Sequence, residues 1–70
     1  DWCELTTTFD YALVSAFERR LPEYEVEVLE TDYAAQVSFH IRLPEEQTEA
    51  FQKMFTDLSA GQGELKKVIE

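Results

Sequence analysis

Cysteine, proline and glycine are all scarce in this chain: one, two and two in 70 residues. The lone Cys3 excludes an internal disulfide and fits a reducing compartment. Basic residues are also few. Arg19, Arg20, Arg42, Lys53, Lys66 and Lys67 stand against fifteen acids, for a formal charge of -9. Non-specific nucleic-acid binding needs Lys and Arg to displace counterions from phosphates. Six bases scattered in ones and twos work against it, unless they gather on one patch. Anionic membrane surfaces are disfavoured for the same reason. No apolar run approaches the roughly 20 residues that span a bilayer. No basic-then-apolar leader opens the chain, so the expectation is a cytoplasmic domain with no membrane partner.

What is present is enough for a core. Apolar types make up 44% of the chain and aromatics 13%, so it need not be disordered. Seventy residues make one small domain, spanning residues 1–70. At this size only about 60% of the unfolded surface is buried, which leaves a narrow stability margin.

Cys3 to Phe9 alternates, with Cys3, Leu5, Thr7 and Phe9 on one side and Trp2, Glu4, Thr6 and Thr8 on the other. This predicts a first strand. Asp10 stands where an N-cap would, and Leu13, Val14, Phe17 and Leu21 are spaced for one face of a helix. Pro22 closes that helix. Tyr24 to Leu29 predicts a second strand, with Tyr24, Val26 and Val28 opposite Glu25 and Glu27. The pattern breaks over residues 30–35, which predicts a hairpin connection there. From Gln36 to Leu43 the alternation is clearest: Val37, Phe39, Ile41 and Leu43 against Gln36, Ser38, His40 and Arg42.

Pro44, Glu45 and Glu46 suit the start of a second helix. Phe51, Met54, Phe55 and Leu58 hold i, i+3, i+4, i+7 spacing along it. Gly61 and Gly63 stop it, one of them in a left-handed conformation. Leu65, Lys67 and Ile69 then alternate with Lys66 and Val68 as a last strand.

The order β-α-β-β-α-β is the ferredoxin-like α+β sandwich. A four-stranded antiparallel sheet in the order 4-1-3-2 carries both helices on one face. Phe17, Phe39, Phe51 and Phe55 are expected to meet between helices and sheet. The other face is the place to look for contacts. It is expected to carry Trp2, Glu4, Glu25, Glu27, His40 and Arg42 as a candidate contact surface. Antiparallel pairing of the first and third strands brings Trp2 near Arg42, a cation–π arrangement. The same pairing brings Glu4 near His40. RNA-recognition domains of this topology stack bases on aromatics of the two central strands, but here those positions hold Thr, Glu, Ser and His.

No catalytic constellation emerges. Cys3 and His40 fall on opposite sides of the sheet, so they cannot form a nucleophile–base pair. The acids from Glu23 to Asp32 lack the tight glycine turn of a calcium loop. On an edge strand such charges discourage pairing with other chains; alternatively they read a basic partner. Gly61-Gln62-Gly63 lacks the Lys-Ser/Thr of a phosphate loop and follows a helix instead of opening one. No metal, cofactor or enzyme activity is expected.

Three stretches together resemble a known family: F-D-Y-A-L-V at residues 9–14, E-T-D-Y-A-A-Q-V-S-F-H-I at 30–41, and L-P-E-E-Q-T-E-A-F at 43–51 leading to D-L-S-A-G-Q at 57–62. They are similar to the C-terminal domain of the YigZ/IMPACT family, in order and over nearly the whole chain. The resemblance implies a ferredoxin-like domain similar to domain V of elongation factor G. It implies a C-terminal fragment of a longer two-domain protein, preceded by a domain resembling domain IV of that factor. It further implies a role in translation, through RNA or ribosome contact by the full-length protein. No catalytic residue carries over. The residues themselves leave a second function open: a protein-interaction or regulatory domain, docking on its own N-terminal domain or forming a homodimer through an edge strand. Tyr33 is expected to fold over the hairpin and cover the core edge, with its hydroxyl wet.

Overall fold

In the computed structural model, which describes residues 1–68, the chain runs through four strands and two helices flanked by short 3-10 turns. β1 is Trp2–Phe9, α1 Val14–Arg20, β2 Glu27–Tyr33, β3 Val37–Pro44, α2 Thr48–Ser59 and β4 Glu64–Lys67. The sheet order is β2-β3-β1-β4, the expected 4-1-3-2 read from the other edge. All three pairings are antiparallel. The fold is the ferredoxin-like α+β sandwich.

β1 and β3 form the centre because their alternation is strict. Both bury every second residue: Cys3, Leu5, Thr7 and Phe9 on β1, and Val37, Phe39, Ile41 and Leu43 on β3. Phe17 of α1 and Phe51, Met54 and Phe55 of α2 close over them. The rings form one layer. Phe17 lies 5.0 Å from Phe39, 6.1 Å from Phe51 and 6.0 Å from Phe55, all edge-on. Phe9 sits within it, 4.7 Å from Phe17. Edge-on contacts match the positive rim of one ring to the negative face of the next, worth about 0.5–1.5 kcal/mol per pair beyond burial. Thr7 is admitted to this dry layer, its Oγ1 hydroxyl 3.5 Å from the Phe39 carbonyl that accepts its proton.

Asp10 caps as expected: its carboxylate accepts from the Ala12 N–H at 2.9 Å. The turn it caps is a 3-10 turn, Tyr11–Leu13, and the α-helix proper begins at Val14. Pro22 falls inside a second 3-10 turn, Leu21–Tyr24, that ends the helix. That ending corrects the expected start of the second strand. Glu25 takes the left-handed conformation (φ 56°), and the Val26 N–H bonds back to the Leu21 carbonyl at 3.3 Å. Tyr24 and Val26 still face the core, Tyr24 edge-on to Phe51 at 5.7 Å, but from a turn. Strand pairing starts only at Glu27 and runs on to Tyr33, through residues expected to form the connection. A bulge at Leu29 shifts its phase.

The hairpin loop is therefore Ala34, Ala35 and Gln36, and the Tyr11 hydroxyl closes it by donating to the Ala34 carbonyl at 2.6 Å. Tyr33 does not cover the core edge. It stacks on Tyr11, at 6.2 Å and 12° between planes, and is 70% exposed.

After α2 the left-handed positions are Ala60 (φ 53°) and Gly61 (φ 78°). Gly63 is needed for another reason: a Cβ there would lie 2.7 Å from Phe55 Cζ. β4 comprises four residues, and the expected contribution of Ile69 lies outside the described residues.

Candidate functional site

Both helices pack on one side of the sheet, so the side chains that alternate away from the core share the other. β1 contributes Trp2, Glu4, Thr6 and Thr8, β3 contributes Ser38, His40 and Arg42, and β4 contributes Lys66 opposite Thr6. From β2 come Glu27 opposite Arg42, Glu30 opposite His40 and Asp32 opposite Ser38. Glu25 is not among them, because the left-handed turn keeps it off the strand.

Part of the charge on this face is arranged in pairs. Glu27 Oε2 accepts from both Arg42 Nε (3.3 Å) and Arg42 Nη2 (3.1 Å). The guanidinium carbon of Arg42 stands 4.9 Å above the centre of the Trp2 ring. Arg42 thus bridges the edge strand and the first residue of β1. A guanidinium over an indole gains from the ring quadrupole while its N–H groups stay free to bond a carboxylate. One diagonal step along, His40 Nε2 and Glu4 Oε1 are 2.8 Å apart. An ionised carboxylate only accepts, so Nε2 carries the proton in this bond. Thr8 and Ser38 hydroxyls meet at 3.0 Å farther down the sheet. These groups are one-third to one-half exposed, so each pair contributes about 0.2–1 kcal/mol and is screened by salt.

Four residues of the expected surface, Trp2, Glu4, His40 and Arg42, come together, and Glu27 joins them from β2. Glu30 and Asp32 belong to the face and were not expected on it. Their signal was present: Thr31 and Tyr33 alternate with them in a phase one residue out from Val28, as a single inserted residue requires.

Cys3 is a free, buried thiol on the helix side, opposite Leu43 in register, so the sheet separates it from His40. A shallow cleft of about 240 Å³ opens beside Trp2, Glu4, Glu45, Lys67 and Val68. Among the described residues no three His, Cys, Asp or Glu converge in a way that could hold a metal ion, and no helix is long and apolar enough to cross a membrane. The arrangement can present a fixed pattern of charge and one indole to a surface.

A family model described as a domain of unknown function, DUF1949, matches residues 7–62. No curated protein matches the chain. Among solved structures, the crystal structure of a hypothetical protein is similar over 99% of this chain, at 25% identity and a TM-score of 0.89. The chain spans 34% of that protein's length. A protein from Thermus thermophilus is similar over 99% of this chain and 11% of its own, at 16% identity and a TM-score of 0.81. At that identity the likeness concerns the fold alone.

Proposed function

This chain belongs to the DUF1949 family, the C-terminal domain of the YigZ/IMPACT proteins, and from that premise we propose that it is a non-catalytic binding module whose helix-free sheet face takes a protein surface. The surface nearest to hand is the rest of its own protein, since the chain spans only 34% of the similar hypothetical protein. The observation that carries this reading is the open face itself. Arg42 is held between Glu27 and Trp2 and His40 is bonded to Glu4, all oriented by backbone register, so binding through these groups would order little that is not ordered beforehand. The lone histidine is engaged by Glu4, and the lone thiol is buried on the other side. A cytoplasmic location goes with the reading, supported by the single free thiol.

The test is an NMR titration of the isotope-labelled chain with the remainder of its protein. Shifts at the Trp2 indole, the His40 ring and the Arg42 guanidinium are expected. Shifts confined to the helices, or none, would defeat the reading.

The family resemblance favours a second reading, RNA or ribosome contact by the full-length protein in translation, because it implies likeness to domain V of elongation factor G. The charge of -9 weighs against these residues acting alone on a polyanion. Affinity for RNA that falls steeply with salt, and is retained by the isolated chain, would move the conclusion to this second reading.

A further inference from the structure

The most unfinished part of the molecule is β2. It is an edge strand of seven residues, and none of them is buried. Among the described residues, no strand pairs its outer edge. An unpaired ladder of N–H and C=O groups is a template for another extended chain. β4, the other edge, has only four residues.

The side chains of β2 differ sharply between its two sides. On the open side stand Glu27, Glu30 and Asp32, all acidic. On the helix side stand Val28, Thr31 and Tyr33, beyond the cover that the helices give. Val28 is 42% exposed and Tyr33 70%, and Tyr33 extends its apolar surface by stacking on Tyr11, itself 43% exposed. A solvated edge has no use for that much uncovered apolar surface. A groove meant for another apolar chain has no use for three acids.

The pattern also discriminates between occupants. If a second copy added its β2 antiparallel, open-side residues would face open-side residues. Every such residue is an acid, so in any register like charges would stand opposite one another, which destabilises a cross-strand pair. The Leu29 bulge adds a local twist that an identical strand would have to match. A strand with the inverse pattern does not meet the charge obstacle, and one of different sequence need not carry a bulge of its own. Lys or Arg at alternate positions would stand opposite Glu27, Glu30 and Asp32, and the apolar residues between them would lie along Val28, Thr31 and Tyr33.

We infer that β2 is a docking edge for an extended protein segment with alternating basic and apolar residues, added as a fifth strand. The inference rests on the binding-module reading and names the edge and the partner's chemistry. The acids do not close this edge. They select against copies of the chain and for a basic strand, and steer its approach.

The experiment titrates the isotope-labelled chain with two synthetic peptides matched to β2 in length, one alternating Lys and Val, the other Glu and Val. The Lys–Val peptide is expected to slow hydrogen exchange at those β2 amides that do not bond to β3. The Glu–Val peptide is expected to leave them unchanged. The double variant Glu30→Lys, Asp32→Lys changes exposed side chains only, and should weaken the Lys–Val peptide by about tenfold or more. Equal binding of both peptides, or resonance shifts on β1 and β3 without β2 protection, would overturn the inference. So would sedimentation showing that the chain alone dimerises through β2. If the remainder of the protein binds the open face while the Lys–Val peptide leaves β2 unprotected, this inference falls and the binding-module reading stands.

Discussion

β3 and β2 lie side by side in one sheet, and their sequences both alternate, yet they are held in different ways. β3 buries four side chains in strict alternation under the aromatic layer. A one-residue slip would turn Val37, Phe39, Ile41 and Leu43 out to water and Ser38, His40 and Arg42 into the core. At about 1.5–3 kcal/mol per buried apolar side chain, no other register competes. β2 buries none of its seven residues, and its register is set by the ladder to β3 and the hairpin loop. A strand with so little at stake can absorb a bulge, start late and run on. That latitude also leaves its edge and its apolar side chains free for something else.

The largest expected effect would test the β3 side of this contrast. Phe39→Ala should cost about 3–5 kcal/mol, most of the stability of a domain this small, while Thr31→Ala, directly opposite on β2, should stay within about 0.5 kcal/mol. Thermal unfolding of the two variants decides it, and equal shifts would break the contrast. Phe51→Ala belongs with Phe39→Ala in size, because its ring is buried against Phe17 and Tyr24.

Next in size is Gly63→Ala. The new methyl would meet the Phe55 ring, and overpacking of that kind costs about 1–3 kcal/mol. An unchanged unfolding midpoint would mean that the end of α2 gives way freely. Asp10→Ala removes the one side-chain cap of the first crossover and should cost about 1 kcal/mol in denaturant titration. Smallest is Glu27→Gln. It weakens a half-exposed pair with Arg42 and should cost less than about 1 kcal/mol, with the difference fading at high salt. A larger loss would show that β2 depends on this pair to stay attached to β3.

Most of the fold was legible in the residues, and the places where it was not have two causes. β1, β3 and α2 were readable because each has one face that must be dry. The same alternation that puts Phe39 and Ile41 inside puts His40 and Arg42 outside, so the contacts of His40 with Glu4 and of Arg42 with Trp2 followed from register. Glu25 was misplaced, and Glu30 and Asp32 were missed, because Tyr24 and Val26 alternate as a strand would while lying in a turn. Their inward direction is common to both conformations, and only the left-handed Glu25 separates them. Tyr33 was misread because nothing in the local pattern says that Tyr11, far away in the chain, offers a ring to stack on.

Composition and periodicity by themselves determined the element order, the aromatic layer and the acidic balance, because burial of apolar side chains is a strong, local constraint with a fixed period; the handedness of crossovers then turned the element order into the sheet order. Only the folded structure decided where β2 begins, that it carries a bulge, and that Tyr33 leans on Tyr11 instead of the core. The start of β2 turns on the left-handed Glu25 and one backbone bond from Val26 to Leu21, and the place of Tyr33 on a ring far away in the chain. Such contacts are worth about 1 kcal/mol each, and none repeats with a period that a sequence displays.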